Sequence, residues 1–145
     1  MVVTSRFGER IHPVTGEKKM HSGVDLRAAS GTPVLAPVSG RVIETGEKSI
    51  SGRYLVLQGD DGTRQSFVHL TDAAVPEGAT VTVGELIGWT GATGRVTGPH
   101  LHWGVSINGA WVDPMTRTPT MTGGGLLVKV AAAAVAAYAI DRAVA

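Results

Sequence analysis

The stretch Tyr54-Leu55-Val56-Leu57-Gln58-Gly59-Asp60-Asp61-Gly62-Thr63-Arg64-Gln65-Ser66-Phe67-Val68-His69 decides the fold class. Two apolar runs of strand length flank Asp61-Gly62, and Asp-Gly between such runs is a strong hairpin signal. Working outward, the same texture repeats. Upstream, Thr32-Pro33-Val34-Leu35-Ala36-Pro37 leads through Ser39-Gly40 into Arg41-Val42-Ile43-Glu44. Downstream come Ala79-Thr80-Val81-Thr82-Val83, then Leu86-Ile87-Gly88-Trp89, then a run from His100 to Ile107 turned at Asn108-Gly109. No span here sustains an apolar period of 3.6 residues, so an all-β domain over residues 1–120 is expected.

Composition agrees and excludes some functions. The 145 residues suffice for one domain with a core and a short appendage. Twenty glycines and seven prolines suit short strands joined by tight turns. Thirteen Lys and Arg residues are interspersed with 12 Asp and Glu, which leaves no basic stripe for nucleic acid. With no cysteine, neither a disulfide nor a thiolate metal site can form. Met1-Val2-Val3-Thr4-Ser5-Arg6 lacks the charged start and apolar stretch of a secretory signal.

The texture changes at Thr122-Gly123-Gly124-Gly125. Residues 121–125 read as a glycine-rich linker, and 126–145 as an alanine-rich apolar α-helix. Leu126 to Ile140 is a run of 15 residues, apolar but for Lys129. A bilayer crossing needs roughly 20. A helix packed on the domain or on other copies, and a membrane or virion anchor, are both compatible with this segment.

The chemistry lies in short polar segments rich in histidine. His21-Ser22-Gly23-Val24-Asp25 pairs an imidazole with a carboxylate, Gly98-Pro99-His100-Leu101-His102-Trp103 carries two histidines, and His69 ends Phe67-Val68-His69. On a strand, His100 and His102 point the same way about 7 Å apart, so both reach one cleft. His21 and Asp25 would lie about 13 Å apart on a straight strand. Gly23 permits a bend that would bring them together. Three histidines, or two with an aspartate, suit zinc better than calcium or magnesium, and a fourth position left open is the catalytic arrangement. A non-ligating histidine would then accept a proton from water or steady an oxyanion. A lone histidine is more often a satisfied polar residue, and His12 is read that way. The three segments together lift the metal reading above that background. Without a Gly-x-Ser-x-Gly element a serine hydrolase is disfavoured. Trp89, Trp103 and Trp111 are expected as core or cleft walls.

These segments carry a family resemblance. Arg6-Phe7-Gly8-Glu9-Arg10-Ile11-His12-Pro13, His21-x-x-x-Asp25, Gly31-Thr32-Pro33-Val34-Leu35-Ala36, Gly40-Arg41-Val42, Val83-Gly84-Glu85-Leu86-Ile87-Gly88 and Thr97-Gly98-Pro99-His100-Leu101-His102 occur in order. From about Ser5 to Asp113 the chain resembles the M23 family of zinc metallopeptidases, the lysostaphin and LytM-like peptidoglycan endopeptidases. The resemblance implies an antiparallel two-sheet, sandwich-like fold with an active-site groove. It implies zinc held by His21, Asp25 and His102, with His69 and His100 as the catalytic histidines. Phe67 stands where the family often has tyrosine, and Trp103 where it often has phenylalanine; the lost hydroxyl at 67 is expected to alter substrate contacts.

The expected function is zinc-dependent hydrolysis of peptide bonds in bacterial peptidoglycan stem peptides or cross-bridges. The layout, starting almost at the first motif, suggests a phage lysin or virion-associated wall peptidase. The rival reading is a non-catalytic peptidoglycan-binding or structural module on the same fold. All five key positions are filled, which weakens that rival.

Overall fold

The Asp61-Gly62 hairpin forms as its sequence predicts. The computed structural model describes residues 1–11 and 13–117. In chain order its strands are β1 (Val2–Ser5), β2 (Gly8–Ile11), β3 (Lys18–His21), β4 (Gly23–Arg27), β5 (Pro33–Leu35), β6 (Gly40–Lys48), β7 (Gly52–Gly59), β8 (Arg64–Ala73), β9 (Thr80–Val81), β10 (Leu86–Thr90), β11 (His100–Ile107) and β12 (Ala110–Val112). A 3-10 turn, Pro114–Arg117, follows, and no α-helix occurs among the described residues. His12, the linker 121–125 and the expected helix 126–145 lie outside them.

Local chemistry sets the turns. In the β7–β8 hairpin, Gly62 adopts a φ of 90°. Asp61 Oδ1 accepts from the Thr63 amide at 3.0 Å and its hydroxyl at 2.6 Å, as turn aspartates do. The β11–β12 hairpin turns on Asn108 and Gly109, with φ of 51° and 83°. Positive φ at both central residues is the tight-hairpin geometry that Asn-Gly favours.

All pairings are antiparallel. The structure refines the expected two-sheet sandwich. Ten strands form one continuous sheet, with β1-β4-β11-β8-β7-β6-β9 as its main path. β12 extends from β11, and β10 pairs both β5 and the end of β8; among the described residues only the β2–β3 hairpin stands apart. The ten residues of β8 explain the continuity, because the strand is long enough to serve two neighbourhoods. Its first part pairs β7 and β11, and Leu70 to Ala73 pair β10.

Period-two alternation sorts the two faces. Val24, Leu26, Leu55, Leu57, Phe67, Leu101, Trp103 and Val105 are buried together, and Val34 of β5 and Ile87 of β10 join the same cluster. The β5–β10 branch therefore covers the inner face of the main sheet. Trp103 is core, its indole N–H donating to Gln65 Oε1 at 2.9 Å. Gln65 in turn donates to Thr63 Oγ1 at 3.0 Å, so these buried polar groups are satisfied. Phe67 is fully buried in the same cluster. This corrects the expectation that position 67 touches substrate: its ring faces the core, away from the groove.

Candidate metal centre and active-site groove

The opposite face of the sheet carries the functional side chains. On β4 that face presents Asp25, and on β11 it presents His100 and His102, between the buried Val24 and Leu26 and the buried Leu101 and Trp103. Strand register places His102 directly opposite Asp25. His102 Nδ1 lies 2.9 Å from Asp25 Oδ1. His21 Nε2 lies 3.4 Å from the other carboxylate oxygen, and the His21 and His102 rings meet edge to face with centroids 5.1 Å apart.

His21 reaches Asp25 because the chain changes sheet between them. β3 ends at His21 and pairs with β2, whereas β4 begins at Gly23 and pairs with β1 and β11. The break falls at Ser22. Gly23 serves differently from the bend anticipated for it: it has an ordinary negative φ, and its role is close approach. A Cβ at Gly23 would overlap the Trp103 carbonyl oxygen and come within 2.8 Å of His102 Nε2.

His69 arrives by an irregularity. On β8, Gln65 and Phe67 face the core while Ser66 and Val68 are more open, so a regular strand would return His69 to the core face. Instead Val68 pairs with Tyr54 and Leu70 with Arg53, which leaves His69 as the extra residue of a bulge. Its φ is 68°, left-handed and uncommon outside glycine. The conformation is held by the His69 amide donating to Ser51 O at 2.9 Å. The ring thus turns to His100, with centroids 5.1 Å apart.

Hydrogen bonds define how each ring is presented. A carbonyl oxygen only accepts, so the ring nitrogen facing it carries the proton. His21 Nδ1 donates to Arg6 O at 2.8 Å, His69 Nδ1 to Thr93 O at 2.9 Å, and His100 Nδ1 to Gly98 O at 3.0 Å. Each then offers Nε2 to the groove. His102 offers Nδ1 to the Asp25 side.

The titration behaviour matches this layout. Burial pushes the Asp25 carboxyl up, but the hydrogen bond from His102 and the charges of His102, His21 and His100 outweigh it and hold Asp25 below its ordinary range. Burial pushes the His69 imidazole down; its bond to Thr93 O opposes this, and the neighbouring His100 and His102 reinforce it. His69 is accordingly neutral at neutral pH.

His21, Asp25 and His102 can hold a metal ion. Each offers one ligand atom, and all three atoms lie within 4.8 Å of one another. Two imidazole nitrogens and an ionised carboxylate form a zinc-type donor set, and the His21 bond to Arg6 O is the outer-shell contact that aims a ligand histidine. The sequence reading placed all five residues in one site, and the structure brings them together. It did not single out Thr93, whose carbonyl binds His69 and whose hydroxyl donates to Leu70 O at 2.7 Å and accepts from the Arg53 amide at 2.9 Å. Nor did it foresee the groove wall where Lys48 lies 4.9 Å from the Tyr54 ring centroid and Tyr54 donates to Glu44. Trp111, 48 % exposed, lines that cavity beside His69 and His102.

A two-histidine, one-aspartate donor set with two more histidines beside it is the arrangement of a hydrolytic zinc centre. Residues 19–114 match the model of peptidase family M23, and the chain belongs to that family. It is 38% identical over 123 residues to the DD-carboxypeptidase/endopeptidase Mpg of Neisseria meningitidis, a match that covers 83% of this chain and 28% of that protein. The chain thus spans little more than a quarter of the length of that curated relative. Among solved structures it superposes on a zinc-containing peptidase from Vibrio cholerae with a TM-score of 0.72 and 38% identity, covering 77% of this chain and 35% of that one. On the catalytic domain of lysostaphin from Staphylococcus simulans the TM-score is 0.70 at 36% identity, covering 79% and 89%.

Proposed function

We propose that the protein is a zinc-dependent endopeptidase that hydrolyses peptide bonds in bacterial peptidoglycan stem peptides or cross-bridges. The observation that carries this is the convergence of His21, Asp25 and His102 beside the Nε2 atoms of His69 and His100. In this reading His21 Nε2, an Asp25 oxygen and His102 Nδ1 hold the metal. Bound zinc supplies Lewis acidity towards a substrate carbonyl and lowers the pKa of water. His69 Nε2, kept neutral by burial, accepts a proton from the attacking water. The proton that His69 takes from water passes to the departing amine nitrogen, while His100, its ring oriented by Gly98 O and beside that of His69, stands next to the reacting carbonyl. Peptidoglycan as substrate is supported by the name of a relative 39% identical over 115 residues, the peptidoglycan DD-endopeptidase ShyC of Vibrio cholerae.

The test is mass spectrometry of fragments released from glycine-bridged and directly cross-linked sacculi, with and without a zinc chelator. Release that the chelator abolishes is expected, and the new chain ends name the bond. A folded, zinc-loaded protein that releases nothing from either wall would transfer the assignment to a binding module. For residues 126–145, whose 15-residue run is apolar but for Lys129, two roles are proposed: packing on the domain or on other copies, or association with a membrane or virion. Equal flotation of the full chain and a version ending at Gly123 would remove the membrane role. Among the described residues no helix is long and apolar enough to cross a membrane.

A further inference from the structure

We propose that Arg27 forms a carboxylate-binding subsite at the edge of the metal centre, selecting substrates with a free carboxylate close to the bond that is cut. The inference rests on the endopeptidase reading for the position of that bond.

Arg27 follows Asp25 by two residues on β4, so both side chains leave the same face of the sheet about 7 Å apart. Its register partner on β11 is His100. Arg27, Asp25 and His100 line one cavity of about 310 Å³, together with Thr97. The cavity is therefore continuous with the site. Two residues of an extended peptide span the same distance as Asp25 to Arg27, so a group one or two residues from the reacting carbonyl would meet the guanidinium.

Charge decides what that group is. Among the described residues the Arg27 side chain has no ion pair or hydrogen bond. Asp25 does not neutralise it, since the ion-pair contacts of that carboxylate are with His21, His100 and His102. The contrast with the opposite groove wall is informative. There Lys48 has Glu44 at 3.9 Å and the Tyr54 ring beneath it. The cation on that side is already partnered; the one beside Asp25 is not. A guanidinium offers paired donors that match a carboxylate, and the Thr97 hydroxyl beside it adds a further donor. The carboxylate could be the substrate's own C-terminus or an acidic side chain, and the test separates these.

The experiment is an NMR titration of the full zinc-loaded chain in an H69A background, which prevents turnover, with arginine, R27Q and R27K at position 27. Three acetylated peptides serve as probes: D-alanyl-D-alanine as free acid, its C-terminal amide, and D-alanyl-D-glutamate with its C-terminus amidated. A carboxylate peptide is expected to bind roughly tenfold or more tightly than the neutral amide. R27Q should erase the preference and R27K should keep part of it. The acid that shows the preference identifies the source of the carboxylate. Equal or undetectable binding of all three peptides, or a preference that survives R27Q, overturns the proposal. Sacculus hydrolysis by the protein with His69 intact is measured in parallel. Absent hydrolysis with the preference intact removes the endopeptidase reading alone, whereas hydrolysis without the preference removes the subsite alone.

Discussion

Asp25 and His102 meet because two regular strands are in register, whereas His69 joins them because one strand is irregular. On β4 and β11 the alternation of faces is unbroken, and Asp25 and His102 sit directly opposite. On β8 the chain inserts one residue, turns His69 to a φ of 68°, and re-aims its ring. The difference separates residues placed by strand register from one placed by a bulge. Regular pairing is enough to oppose Asp25 and His102, because the register of β4 and β11 sets their separation. The proposed base has to stand off the pleat, and its position depends on the loop around Thr93 that holds it.

That contrast can be broken at its regular side first. H102A, D25A or thorough chelation should reduce wall hydrolysis to background, and zinc should no longer raise the melting temperature of either variant. If D25A keeps zinc-dependent activity, the register-built centre is not the metal site.

The irregular side should give the next largest effect. H69A is expected to lower kcat by about 10²–10⁴-fold while zinc binding, read by metal analysis, is retained. Loss of metal in H69A would place His69 among the ligands and merge the two regions. The same residue predicts a pH effect. Its folded pKa is depressed, so the unfolded chain binds the extra proton first. The contribution of His69 to stability is present above the ordinary value of 6.5 and is lost as pH falls through the lower folded value. Urea denaturation of zinc-free protein should show wild type losing more stability than H69A below about pH 6.

Smaller effects sharpen the comparison. G23A should destabilise the domain by about 1–3 kcal/mol in denaturant unfolding, and should weaken zinc because the added methyl pushes on His102. T93V removes two hydrogen bonds flanking His69 and should cost on the order of 1 kcal/mol each. Its kcat should fall while zinc affinity holds, the split expected if Thr93 serves only the irregular side. W111A should chiefly raise KM, since the exposed indole lines the groove without reaching the metal ligands.

Residue order alone predicts the strand texture, the hairpins at Asp61-Gly62 and Asn108-Gly109, and the shared face of His100 and His102. These follow from period-two alternation and from turn chemistry, which act within a few residues. Through motifs resembling those of the M23 family it also nominated the four histidines and one aspartate that the fold gathers. It left open how His21 and Asp25 meet, and it assigned Gly23 a bend where the structure uses it for close approach to Trp103 and His102. It expected the hydroxyl missing at position 67 to alter substrate contacts, although the Phe67 ring is buried in the core. It could not tell that His69 leaves its strand's core face, because a bulge depends on the neighbouring strand: Tyr54 and Arg53 pair on either side of it. The merging of ten strands into one sheet, and the absence of an ion pair at Arg27 among the described residues, likewise depend on tertiary structure. Each depends on residues far apart in the chain, and only packing brings these to within bonding distance or keeps them beyond it.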